Sequence, residues 1–299
     1  SGRPRPPPAG DRRVDAVPDL ATTRREYVPA IALRALRHPA TALGVARFVG
    51  TVLKDFFALQ FAVKLGLRRV PVVDVDHPLD ARIPFTPERI ATYLDFISFW
   101  IRPLGWIARH HGPRAFVTHG VRFLGLIDRC YREAAEVYRA GMTTTRRPRY
   151  YRGRFLAIHL FDPHLLCVPS LHVMIVVLAW TQYRRAFAEL GVPDADRSAL
   201  TTELFDGAVD ITESVLFIKQ HSVNCLPAAL YAMTRITPSE VSPDDVAAFT
   251  GRLFPDLEAG AEIRAHIAAA HTRLQEQGAG EPWPATVQRF IRELSGASS

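Results

Sequence analysis

Two histidines in this chain sit where an imidazole could act on a reactant: His172 in "CVPSLHV" (167–173) and His221 in "IKQHSVNC" (218–225). Pro169-Ser170-Leu171-His172 follows a basic stretch and opens a helix, so it offers free backbone N–H groups, a hydroxyl and an imidazole in one small volume. Those are the donors that phosphate oxygens need, with a proton source beside them. His221 lies forty-nine residues later, on a second expected helix, with Phe217 one turn before it and Ser214 two turns before it on the same face. A working imidazole needs a partner on its other nitrogen, which helical spacing puts at 224 or 225. Asn224 can accept through its side-chain oxygen, whereas Cys225 is a poor acceptor. Taken singly, each stretch also fits a plainer role, a capping serine or a packed core histidine. Only their meeting in space would make a site.

The elements that must position them are mostly helical. Apolar residues recur every three to four positions from about 24 to 66, and "RRVPVVDVDHPLDARIPF" (68–85) reads as a connecting loop or short extended piece. Thr86 and Pro87 look like a cap and first turn for a helix to about Trp100; another helix covers 113–140 and ends at Gly141. The segment 142–168 reads as irregular and very basic. A long apolar helix follows from about 170 to 190, and the next spans roughly 196–225. "SPDD" (242–245) opens a polar helical tail to about 295, broken at Pro255 and Gly260. Little strand signal appears. The expectation is an all-α bundle in three parts: a disordered Pro/Arg-rich terminus (1–20), a helical bundle (21–235) and a helical C-terminal extension (236–299).

With 299 residues, 48% apolar and 22% charged, the chain can bury a substantial core and lacks the profile of a disordered one. A net charge of +7 suits nucleic acid, an anionic membrane or phosphorylated substrates. No aromatic-interleaved basic repeat or zinc spacing supports nucleic acid, which leaves membrane or phosphate. Three scattered cysteines (Cys130, Cys167, Cys225) suit a reducing compartment. The start, "SGRPRPPPAGDRR", has no apolar core of a signal peptide. Residues 48–66 and 165–181 are the greasiest runs, but charges interrupt the first, and a proline, a serine and a histidine the second, so a buried helix explains 165–181 better than a lipid-facing one. The expected location is membrane-associated or cytoplasmic.

Together the two histidine stretches resemble signatures of the type 2 phosphatidic acid phosphatase superfamily, which includes vanadium haloperoxidases and inositol-phosphorylceramide synthase-like enzymes. The family's second signature, Pro-Ser-Gly-His, is Pro-Ser-Leu-His or Pro-Ser-Met-His in its inositolphosphotransferase-like branch, as in "VPSLHV" here. The third is Ser-Arg, five residues, His, three residues, Asp; "SVLFIKQHSVNC" keeps Ser214 and His221 at that spacing. "KQH" and the lead "LDARIPFTPERIATYLDF" (79–96) are also similar to that branch, so the likeness covers roughly 75–235. It implies a helical bundle of the acid phosphatase/haloperoxidase type, acting on a lipid-like or prenyl phosphate with no metal or cofactor. His221 would attack phosphorus to form a phosphohistidine, and His172 would protonate the leaving oxygen. Ser170 and the Leu171 amide would hold non-bridging oxygens, with Arg147, and Arg146 beside it, neutralising their charge.

Three positions depart from the pattern. The lysine expected before Arg147 is Ala140, and the arginine of the third signature is Val215, for which Lys219 one turn on is the nearest substitute. The orienting aspartate is Cys225, leaving Asn224, or a carboxylate such as Asp210 or Glu213, to fix the His221 ring. A carboxylate in that role also offsets imidazolium charge, so its loss predicts a slow site or a relative that binds a phosphorylated ligand or membrane surface without turnover. Haloperoxidase chemistry needs several cations around vanadate and fits less well. Asp74, Asp76, His77 and Asp80 have ligand-like spacing that Asp-Pro turns explain more simply. Asp162 and His164 read as surface-turn residues or as supporting groups of the Ser170 loop.

Overall fold

The computed structural model describes residues 21–297, so the expectation for residues 1–20 lies outside the described residues. As the apolar periodicity requires, the described chain is a bundle of α-helices with two short strands. Its axis is α7 (Leu171–Glu189), whose residues Val173–Ala179 have no solvent exposure. This is the greasy 165–181 run. It is apolar all round because α5 (Phe96–Ala140), α8 (Asp194–Phe217) and α9 (Cys225–Ile236) pack against it. No helix among the described residues is long and apolar enough to cross a membrane.

The N-terminal periodic region is α1 (Val28–Arg37), α2 (Pro39–Thr51), a π-helical stretch (Val52–Ala58) and α3 (Leu59–Lys64), laid against α5. Thr86 does not cap a helix with its side chain. The chain enters through a 3-10 turn (Pro87–Arg89) and α4 (Ile90–Leu94), with the Thr86 amide donating to the Phe217 carbonyl. As expected, two helices meet here: the span called α5 has two arms, one before and one after residue 112, although the first arm starts at Phe96 rather than at Thr86. The arms fold back so that the Trp100 and Phe123 rings lie 5.7 Å apart. α5 is kinked where Gly112 takes φ +81° ahead of Pro113.

The segment read as irregular contains order of its own. β1 (Val72–Asp74) pairs in parallel with β2 (Met142–Thr144), Thr143 bridges to Leu166, and α6 (Arg154–Phe161) lies between. In the C-terminal region, Ser242 and Asp245 form the expected capping box of α10 (Pro243–Arg252). α11 (Gly260–Gln277) and α12 (Trp283–Ala297) then return to α9 and α5, burying Ile263, Ile267, Val287 and Phe290.

Candidate active site

The loop before α7 is fixed from three sides. Thr143 Oγ1 accepts from the Val168 amide (2.8 Å), the Thr143 carbonyl accepts from the Cys167 amide (3.3 Å), and the Tyr138 hydroxyl donates to the Pro169 carbonyl (2.5 Å). Ser170 is the N-cap of α7, accepting from the Val173 amide (3.5 Å). Fully buried, it also sets its hydroxyl 3.3 Å from His221 Nε2. His172, two residues on, packs its ring between Tyr93 and Phe96 at centroid distances of 4.9 and 4.7 Å. The His172 and His221 rings lie 5.7 Å apart, so the structure brings the two distant motifs together.

His221 arrives by a route the sequence reading did not foresee. The helix expected over 196–225 stops at Phe217 and restarts at Cys225. Lys219 takes φ +57°; its amide donates to the Leu216 carbonyl (3.0 Å) and the Gln220 amide to the Val215 carbonyl (2.8 Å). These bonds form a Schellman turn, with lysine in the place glycine usually takes. The break undoes the expectations that relied on continuous helical spacing. Lys219 does not share a face with Val215; its ammonium binds the Asp80 (2.5 Å) and Ile83 carbonyls. Asn224 does not orient His221, because its amide group donates to the Val75 carbonyl (3.1 Å) and its oxygen meets His266 Nε2 (2.8 Å). Ser214 returns its hydroxyl to the Ile211 carbonyl (2.7 Å) within α8. Glu213 accepts from the Phe254 amide (2.5 Å), and with Asp210 lines a different groove. His221 Nδ1 is therefore buried without a side-chain partner; besides Ser170, only the Cys167 backbone bears on the ring, too poorly aligned to count as a hydrogen bond.

The turn is held instead by residues upstream. Asp80 accepts from the Val223 amide (2.8 Å) and from the His77 amide (2.7 Å), while its carbonyl takes the Lys219 ammonium. This and the Asp74 and Asp76 contacts to Arg146 (3.7 and 3.3 Å) give the "DVDHPLD" carboxylates structural partners. Arg146 is accordingly exposed and turned away from the histidines. Arg147 stays close: its guanidinium pairs with the Asp162 carboxylate (2.5 Å) and carbonyl (3.2 Å), and its charge bears on both His221 and His164.

A cavity of about 30 Å³ lies against the two histidines, lined also by Phe56, Gln60, Asp162, His164 and Gln220. At roughly 10–15 Å³ per water it has room for about two. Several buried polar atoms in and beside it lack partners: His221 Nδ1, Gln60 Nε2, Gln220 Oε1 and Arg147 Nε. Such groups are costly unless water or a ligand satisfies them. Sequence reasoning missed both glutamines. Of the two readings left for His164, the burial of the ring overturns the surface turn, and its place in the cavity lining agrees with a supporting group. His164 is buried in a left-handed conformation (φ +62°), with Nε2 2.8 Å from Thr145 Oγ1 and its amide donating to Asp162 Oδ1 (3.0 Å). The Asp-x-His spacing of such a turn was the available signal.

Burial sets the charge state. It lowers the pKa of His172 to about 4, partly opposed by Asp162, and holds His221 well below the usual imidazole range, helped by His172 and Arg147. His164 is lowered well below its ordinary value for the same reason. Near neutral pH the site thus holds uncharged imidazoles beside a guanidinium already paired with Asp162. An anion here is favoured only if an imidazole takes up a proton or Arg147 turns from Asp162. Comparison with protein-family models, with characterised proteins and with solved structures returns no match to this chain.

Proposed function

We propose that this site binds the phosphoryl group of a lipid-like or prenyl phosphate and transfers it through His221, as a metal-independent phosphoesterase or phosphotransferase. The observation that carries this reading is the approach of Ser170, His172 and His221, from two distant segments, with both imidazoles lining one cavity. With the Ser170 hydroxyl donating to Nε2, that nitrogen is the unprotonated one, and its lone pair becomes free for attack when the hydroxyl turns to a phosphoryl oxygen. Attack by Nε2 on phosphorus breaks the P–O ester bond, and His172 gives its proton to the departing oxygen. The phosphoryl charge raises the low pKa of His172 on binding, so that the ring takes up from water the proton it then gives to the departing oxygen. Water or an acceptor alcohol then takes the phosphoryl group from Nε2. The cavity must widen to admit the ester, and Phe56 and Asp162 are half-buried parts of its lining. The resemblance of the two histidine motifs to the phosphatidic acid phosphatase signatures supports the same chemistry, as does the loop geometry before α7.

A second reading has its own observation. No carboxylate pairs with His221 Nδ1, so nothing offsets the positive ring that forms as phosphorus is attacked. Such a site is a slow enzyme, or one that binds a phosphorylated ligand or a membrane surface without turnover. Phosphate release from phosphatidic acid or a prenyl diphosphate by the purified protein separates the two. The expected result is release that falls at least about a hundredfold in His221→Ala, the range associated with loss of a nucleophile or its base. Release that survives the substitution removes the mechanism. Inorganic phosphate that binds equally to the parent and His221→Ala, with no turnover by either, establishes the second reading.

A further inference from the structure

The N-terminal helices and α6 present an unusual outer surface. Between residues 27 and 73 the chain carries seven lysines or arginines and one acid, Asp55, which is buried and paired with Arg139 (2.6 Å). Residues 145–161 add five arginines and no acid. Large apolar side chains stand exposed among these cations. On α1 and α2 they are Leu33, Leu36 and Leu43; on the π-helical stretch, Leu53 at 58% exposure; on α6, Leu160 at 60% and Phe161 at 69%. Exposed large apolar side chains set among cations are a residue mix typical of interaction surfaces.

We infer that this face docks on an anionic lipid bilayer and presents the mouth of the histidine cavity to the membrane surface. Helices lying in an interface place aliphatic and aromatic side chains among the acyl chains and lysine or arginine at the headgroups, the residue types seen here. Charge complementarity selects this occupant over a second copy of the chain. An isologous contact would set the same cations against themselves with no exposed acid from either segment to answer them. Position supports it too: the π-helical stretch and α3 contribute Phe56 and Gln60 to the cavity, and the end of α6 leads into Asp162 on its other side. The buried Gln60 side-chain oxygen accepts from the Leu165 amide (3.0 Å), tying the two segments together beside the cavity. A lipid phosphate could pass from the headgroup layer into the cavity without leaving the interface. The inference rests on the proposed phosphoryl chemistry only for what enters the cavity; the docking itself does not need it.

Co-sedimentation of the whole chain with vesicles tests it. Binding to phosphatidylcholine vesicles carrying about one-third phosphatidylserine should exceed binding to phosphatidylcholine alone by roughly tenfold or more, and should weaken with added salt. The double variant Leu53→Glu, Leu160→Glu alters exposed positions, so its melting curve should match the parent's while its vesicle binding falls by about tenfold or more. His221→Ala should bind vesicles as the parent does. Absence of binding by the parent, undiminished binding by the double variant, or a parent dimer that the double variant splits would each overturn the docking. Hydrolysis of a short-chain, monomeric phosphatidic acid keeps the two ideas apart. Hydrolysis without vesicle binding removes the docking alone, whereas vesicle binding without hydrolysis supports the docking and removes the catalytic reading.

Discussion

His172 illustrates how a single residue ties this site to pH. Its ring lies between Tyr93 and Phe96, and burial lowers its pKa to about 4, while an unfolded chain restores about 6.5. Between those values the unfolded state binds a proton that the native state refuses, so stability is full above pH 6.5 and declines as pH falls toward 4. His164 and His221, also lowered by burial, add to the same trend. Urea unfolding at pH 7 and pH 5 should show the loss, and His172→Gln should shrink the difference by about 2 kcal/mol. An unchanged difference in that variant would mean the ring is not neutral in the native protein. His221 has the opposite deficiency: a ring in place, with its outer nitrogen unpaired. Reactivity at this position depends on what a bound ligand contributes.

At the scale of the element, the turn between α8 and α9 decides the site. Its left-handed residue is Lys219, which accepts backbone strain and regains contacts through its ammonium on the Asp80 and Ile83 carbonyls. A β-branched side chain is strained in that conformation by on the order of 1–3 kcal/mol, whereas glycine adopts it freely. Lys219→Val should therefore be less stable than Lys219→Gly by about 1 kcal/mol or more in chemical denaturation, although both lose the ammonium contacts. Equal stabilities would show that the left-handed backbone at residue 219 carries no strain. The Asp80 carboxylate belongs to the same device, because it holds the Val223 amide two residues beyond His221.

Across the whole molecule, the C-terminal helices act as part of the bundle. His266 of α11 stacks on His77 (4.1 Å) and meets Asn224, Trp283 of α12 donates to Glu133 on α5 (3.1 Å), and Phe254 is anchored on Glu213 of α8. The entry to α11 is close-packed: a side chain at Gly260 would collide with the Phe254 carbonyl, which Arg264 also holds (3.1 Å). Gly260→Ala should cost about 2 kcal/mol or more and lower the melting temperature. Gly251→Ala on α10 has open space around it and should be neutral or slightly stabilising. A cooperative transition that moves with Gly260→Ala in both the histidine site and the tail would show that the helices from α10 onward unfold with the bundle.

What the sequence determined by itself was the helical character, the burial of α7, the cap at Ser242 and the pairing of two histidine motifs as candidates. Each is written locally, in a 3.6-residue apolar period, in Ser-Pro-Asp-Asp, or in short spacings around Ser170 and His221. Tertiary structure decided which groups surround those histidines. The break after Phe217 falls at a lysine, with no glycine or proline to announce it, and it turned Lys219, Asn224 and Ser214 away from the roles their helical spacing suggested. Gln60 and His164 reach the cavity through long-range contacts, from a π-helical neighbourhood and a loop pinned on β2. A periodic pattern specifies which face of an element is buried. It carries no record of the partner that face will meet, because that choice belongs to packing among segments far apart in the chain.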